Sequence, residues 1–265
     1  MREKRDFIHL DGARLEVQRI PAAAAGRPAL VFLHEGLGCS DGWRGFPARL
    51  AAATGCEALV YSRAGYGRSS PVPVPRPLRY MHDEGLEVLP RLLDAAGLGE
   101  VVLVGHSDGG SIALIHAGGA DAGGRVRGVI AEAPHVLCED LSVSSIRKAR
   151  EAFLGGDLRD KLARLHGENV DCAFWGWNRV WLDPGFAAWN IEEYLPSMRA
   201  PVLVIQGLQD PYGTGEQVRR IQAGCGGPTE VLLLDGCGHA PHRDQPATAL
   251  DAMSGFVGRL GSTGP

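Results

Sequence analysis

No stretch of this chain approaches the ~20 consecutive apolar residues that a membrane-crossing helix needs. The charged opening Met1-Arg-Glu-Lys-Arg-Asp-Phe-Ile has no apolar run of signal-peptide length behind it, and Ala22 to Gly26 is too short to serve as one. These absences predict no membrane association and a cytoplasmic location. A basic surplus is missing too: 27 Lys and Arg stand against 31 Asp and Glu, a net charge of -4, and the cations are scattered. Phosphate backbones need a clustered basic stripe, so nucleic acid is not an expected partner. The six cysteines (Cys39, Cys56, Cys138, Cys172, Cys225, Cys237) include no C-x-x-C pair and no Cys/His metal spacing. Free thiols in a reducing compartment, without a metal site, are the expectation. Repeats and low-complexity tracts are likewise lacking.

What remains is a chain of 265 residues, 45% hydrophobic, enough for one sizeable core. Apolar, β-branched runs occur at 29–33, 57–61, 101–104, 126–131, 201–205 and 230–234. Strands without apolar/polar alternation suit a parallel sheet covered on both faces. Helical spacing lies between most of them: Trp43, Phe46, Leu50 and Ala53 behind an Asp41 cap, then Leu78, Met81, Leu86, Leu89 and Leu93. Asp244 and Pro246 open a last helix with Leu250, Met253, Val257 and Leu260 on one side. The alternation predicts an α/β fold with a mostly parallel, doubly wound sheet. Phe7 to Leu10 and Leu15 to Ile20, joined at Asp11-Gly12, read as an added antiparallel hairpin.

One segment breaks the alternation. Residues 137–200 carry two helical stripes, Val143, Ile146, Arg150, Phe153 and then Leu158, Leu162, Leu165, and hold four of the five tryptophans. The expected organisation is a core of 1–136 and 201–265 with 137–200 inserted as a helical lid. Trp175, Trp177, Trp181 and Arg179 are candidate substrate contacts, although any one tryptophan could instead only anchor the insertion.

The chemistry is concentrated at Gly105-His106-Ser107-Asp108-Gly109, a G-x-S-x-G pattern placed between a strand and a helix. A turn that tight leaves no room for a Cβ at either glycine, and it pushes the serine hydroxyl above the sheet. The alternative is a glycine-rich turn whose serine merely caps the helix. A serine is a weak nucleophile until a base takes its proton, and the base needs a carboxylate to hold its tautomer. Among nine histidines, His239 follows the last strand through a glycine loop, with His242 its nearest rival. Asp210, just past the penultimate strand, is the candidate acid, ahead of Asp235. His34, His106, His116 and His135 read as structural or as pocket lining.

With these residues in view, the chain resembles the α/β-hydrolase superfamily over nearly its whole length. The resemblance rests on the 105–109 elbow, His34, Arg63-Ala-Gly65-Tyr-Gly67-Arg-Ser69, Asp210 and Gly238-His239, in the order serine, acid, histidine. It implies acyl transfer through a covalent acyl-serine, with catalytic Ser107, Asp210 and His239 and no cofactor. It also implies an oxyanion hole built from the backbone N–H of Asp108 and one donor in His34-Glu35-Gly36-Leu37-Gly38. The family usually has His-Gly-x with x as donor, which would be Gly36, but Glu35 stands where glycine is usual, so Glu35 or Gly36 is the candidate.

Two carboxylates then flank the site. An unpaired one pointing inward at about 4 Å would oppose the developing charge by up to ~4 kcal/mol at an effective dielectric of about 20. Glu35 and Asp108 therefore either point away or are paired, with Arg63, Arg44 or His34 or, for Asp108, by capping its own helix; the functional alternative is that one of them meets a cation on the substrate. That functional alternative has a counterpart in valacyclovir-hydrolase-like enzymes, which Ser107-Asp108-Gly109-Gly110 resembles. The expected function is hydrolysis of a small carboxylic ester, or a related thioester, lactone or amide. A C–C bond hydrolase of ring-cleavage products, similar in triad and suited by Arg179 and the tryptophans, is the alternative, as is a receptor without turnover. A small molecule is the expected partner; a homodimer is compatible with the chain but not written in it.

Overall fold

The computed structural model describes residues 5–121 and 123–260. The outermost parts of the expected core, 1–4 and 261–265, lie outside the described residues, as does Ala122. Eight strands form one sheet: β1 (Arg5–Leu10), β2 (Ala13–Ile20), β3 (Ala29–Leu33), β4 (Ala58–Tyr61), β5 (Val101–His106), β6 (Val126–Glu132), β7 (Val202–Gly207) and β8 (Thr229–Leu234), in the order β1-β2-β4-β3-β5-β6-β7-β8. β3 to β8 are parallel, and β2 joins β4 antiparallel with β1 as its hairpin partner.

The unbroken apolar runs serve both faces, because successive side chains of a strand point to opposite sides. Val31, Leu33, Leu103, Val129 and Val204 enter one core. Leu30, Phe32, Val102, Val104 and Ile130 enter the other. The first core is covered by α2 (Tyr80–Asp83), α3 (Leu89–Ala96), α4 (Asp108–Gly119) and α8 (Gly215–Gly224). The second is covered by α1 (Phe46–Thr54) and α10 (Pro246–Leu260), with the short α9 (Pro241–Asp244) leading into the latter. β8 differs from the expectation of a two-sided buried strand. It is the outer strand, and only Leu234 is fully buried.

The helix expected from an Asp41 cap starts later. Residues 40–43 make a single 3₁₀ turn, and α1 begins behind Gly45, whose φ of +77° turns the chain. Asp41 instead accepts hydrogen bonds from Arg5 and Gln18, tying this turn to the hairpin.

Between β6 and β7 lie α5 (Asp140–Gly155), α6 (Leu158–His166) and α7 (Val170–Trp181), followed by short 3₁₀ turns. Phe153, Phe174, Trp177, Val180 and Phe186 join the same apolar cluster as α2 to α4, so the segment is seated on the sheet's first core. No described helix is long and apolar enough to cross a membrane. The loops that leave the carboxyl ends of β3, β5, β6, β7 and β8 open on one edge of the sheet, the usual place for a ligand crevice in such folds.

Candidate active site

Ser107 leaves β5 with φ +53° and ψ -119°, a conformation that L residues adopt only under strain of about 1–3 kcal/mol. The glycines around it are sterically required. A Cβ on Gly105 would sit 2.3 Å from the Gly109 carbonyl oxygen, and one on Gly109 would sit 2.0 Å from that of Leu33. The turn is held by the Ser107 N–H donating to Glu132 O at 2.8 Å, and by the Ser111 N–H donating to Ser107 O at 3.0 Å. The Asp108 N–H stands in the first turn of α4, where no intrahelical acceptor exists.

His239, in the loop after β8, places Nδ1 2.8 and 2.9 Å from the two Asp210 carboxylate oxygens. Asp210 is buried and also accepts from Gln206 Nε2 at 2.7 Å and from the Tyr212 N–H at 2.8 Å. Burial opposes its ionisation, but its hydrogen bond with His239 and the Tyr212 N–H hold its carboxyl below the ordinary range. The rival His242 turns away, with Nδ1 2.9 Å from the buried Glu132 carboxylate. Asp235 faces Gln209 instead of His239. Gln206 and Tyr212 carry no motif signal; only the contacts of Asp210 identify them.

Both flanking carboxylates find partners. Asp108 is buried and accepts a hydrogen bond from the Tyr80 hydroxyl, which in turn accepts from Trp181 Nε1 at 3.2 Å. Burial pushes its carboxyl up, against the charge of Arg63. Glu35 lies 3.5 Å from His106 Nδ1, an ion-pair distance. Burial opposes both charges of this pair, yet each partner stabilises the other: Glu35 is held well below the usual carboxylate range and His106 above the usual imidazole range. None of the arginines weighed from the sequence, Arg63 and Arg44, supplies the ion pair, and Tyr80 could not be found by spacing because 28 residues separate it from Asp108.

Ser107, His239, Gly36, Glu35 and Asp108 line one cavity of about 190 Å³. Leu37, Ile146, Trp177 and Trp181 supply its apolar lining, and His106, His135, Ser142, Tyr212 and Arg243 complete it. The expectation for α7 needs correcting in half. Trp177 and Trp181, four residues apart, face the cavity, whereas Trp175 and Arg179 do not line it. On a helix of 3.6 residues per turn, a pair offset by two positions points the other way. There the Arg179 guanidinium lies 5.2 Å over the Trp175 ring, on the outside of the segment. Trp189 is an anchor, stacked on Phe186 at 5.2 Å.

The model of the Alpha/beta hydrolase family matches residues 30–252. Over 116 residues the chain is 39% identical to the Mycobacterium tuberculosis protein named "Putative acetyl-hydrolase LipR", a match covering 41% of this chain and 34% of that protein; the chain thus spans about a third of the curated relative it matches. Similar solved structures include proline iminopeptidase of Mycobacterium smegmatis, with TM-score 0.75, 17% identity, and coverage of 97% of this chain and 99% of that one. A thermophilic esterase of Thermogutta terrifontis gives 0.71 at 18% identity, covering 98% and 100%. Carboxylesterase CesB of Bacillus subtilis gives 0.71 at 18% identity, covering 97% and 92%. At these identities the solved structures speak for the fold alone.

Proposed function

The chain belongs to the alpha/beta hydrolase family, and from that premise we propose that it is a serine hydrolase cleaving small carboxylic esters through an acyl-serine, with 137–200 as its lid. The observation that carries this reading is a carboxylate-held imidazole, His239 on Asp210 at 2.8 Å, sharing one cavity with a serine on a strained turn.

In the mechanism, His239 Nε2 takes the Ser107 hydroxyl proton as Oγ bonds to the ester carbonyl carbon. The carbonyl oxygen becomes an oxyanion facing the N–H groups of Asp108 and the 34–38 loop. The tetrahedral species collapses, the C–O bond to the alcohol breaks, and the departing alkoxide receives the proton from His239. Water then gives its proton to His239 and its oxygen to the acyl carbon, and Ser107 leaves with that proton. Asp210 stays ionised throughout and keeps Nδ1–H turned toward itself.

Cavity size supports a short acyl group. About 190 Å³ is close to the ~150 Å³ of an apolar cavity that admits benzene, and far from the ~300–1,000 Å³ of drug-sized pockets. Arg179, which the C–C hydrolase reading would use for an acidic dienoate, lies outside; Arg243 at the cavity keeps a carboxylate-bearing substrate as the second reading. The test is a panel of p-nitrophenyl esters from acetate to octanoate, with a dienoate beside it. The expected result is turnover favouring acetate and butyrate, fluorophosphonate labelling, and loss of at least about 10³-fold activity in Ser107→Ala. Full activity in Ser107→Ala would remove the reading, and a chain that neither turns over nor labels would favour a receptor without turnover.

A further inference from the structure

We propose that Arg63 is the positioning residue of the oxyanion hole, its buried guanidinium fixing and polarising the peptide that presents the Gly36 N–H. The inference rests on the serine-hydrolase reading and adds a residue that acts through the backbone.

Arg63 follows β4 and is fully buried. Burying a guanidinium costs several kcal/mol unless its charge and donors are answered. Among the described residues no carboxylate lies within ion-pair distance of it. Its fork goes instead to two successive backbone carbonyls: Nη1 donates to His34 O, and Nη2 donates to Glu35 O at 3.0 Å. Burial disfavours the charge; the Tyr66 ring, 4.9 Å from the guanidinium, and the more distant Asp108 and Glu84 carboxylates favour it.

Those carbonyls belong to the peptides whose N–H groups are Glu35 N–H and Gly36 N–H. A planar trans peptide points its C=O and N–H in opposite directions, so a guanidinium that draws the oxygens behind the loop turns the N–H groups away from itself. Glu35 and Gly36 line the cavity. The two peptides are not equally held. Glu35 O accepts three donors: Arg63 Nη2, His34 Nδ1 at 2.8 Å, and the Gly38 N–H at 3.2 Å. His34 is fixed as the Nδ1–H tautomer because its Nε2 accepts the Arg63 backbone N–H at 3.0 Å, and burial together with the Arg63 charge keeps it neutral. Hydrogen bonds to a carbonyl strengthen the donor at the other end of its peptide. Of the two candidates left open by the sequence, Gly36 is thereby the stronger donor, and Arg63 organises the arrangement with its side chain on the carbonyls and its backbone on His34.

The test is Arg63→Lys, which keeps the charge but cannot span two carbonyls. In variant protein that melts cooperatively, kcat on p-nitrophenyl acetate is expected to drop about 10- to 100-fold, less than the about 10²- to 10³-fold of losing a whole oxyanion donor. KM and the pH profile should stay put. A trifluoromethyl ketone, which Ser107 converts to a hemiketal oxyanion, should lose affinity by the same factor. A folded Arg63→Lys with wild-type kcat, or with lowered kcat and unchanged ketone affinity, overturns the proposal. If that variant does not fold, ¹⁵N-arginine-labelled wild-type protein decides: exchange-protected Arg63 guanidinium protons should shift when the ketone binds, and their staying still overturns it. Failure of the wild type itself to bind the ketone counts against the serine-hydrolase reading instead.

Discussion

Glu35 sits where a negative charge should damage the proposed oxyanion site, and its neighbour resolves the conflict. His106 Nδ1 is 3.5 Å away, while His106 Nε2 donates to the His239 carbonyl at 2.6 Å. One imidazole therefore neutralises the loop acid and braces the loop of the proposed base. Glu35 ionises below its ordinary value and contributes stability above about pH 4.5, lost as pH falls through its lowered value. His106 is raised, so its share is full below about pH 6.5 and lost as pH rises through its higher value. Melting curves of wild type and Glu35→Gln should differ most at about pH 5–6 and draw together as pH rises through the raised His106 value; a gap independent of pH would contradict the pairing. The elbow offers a second check at this scale. A Gly109→Ala methyl would press on β3 backbone, which cannot give way as a side chain can, so denaturant melts should show a loss of about 3 kcal/mol or no folded protein at all. These glycines were legible from the motif, whereas the Glu35–His106 pair was not, because 71 residues of chain separate partners that only the sheet makes adjacent.

At the scale of the element, α7 shows what a sequence conveys incompletely. A run of Phe174-Trp175-Gly176-Trp177 and Trp181 announces an aromatic helix, but periodicity alone does not say which face meets the cavity. Packing decides it: Phe174 stacks on Phe153 at 3.7 Å, and Gly36 leaves room for the Trp177 indole, whose Nε1 would lie 2.2 Å from any Cβ placed there. Trp177→Ala should enlarge the cavity, move the preferred p-nitrophenyl ester from acetate toward hexanoate, and cost about 3–5 kcal/mol of stability in urea melts. Trp175→Ala, on the outer face, should leave chain-length preference unchanged. Equal shifts in the two variants would mean that the helix face has been misassigned.

Over the whole molecule, the sheet is graded from centre to edge. β3, β4, β5 and β7 are buried along their full length, while β8 and β1 are half exposed. Amide exchange followed by mass spectrometry should therefore protect β3, β4, β5 and β7 longest and release β1 and β8 first. Uniform protection across the eight strands would show that the sheet opens only as a unit.

The parallel sheet, its hairpin and the serine turn were determined by the sequence itself, because each depends on short-range rules: apolar runs, steric demands on glycine, and residues at strand ends. Only the tertiary structure decided which face of α7 lines the cavity, that Glu35 is neutralised by His106 and Asp108 bonded by Tyr80, and that Arg63 grips the carbonyls of His34 and Glu35. Those relations join strands and loops far apart in the chain, and their partners are set by how the layers pack, a property that no local pattern contains.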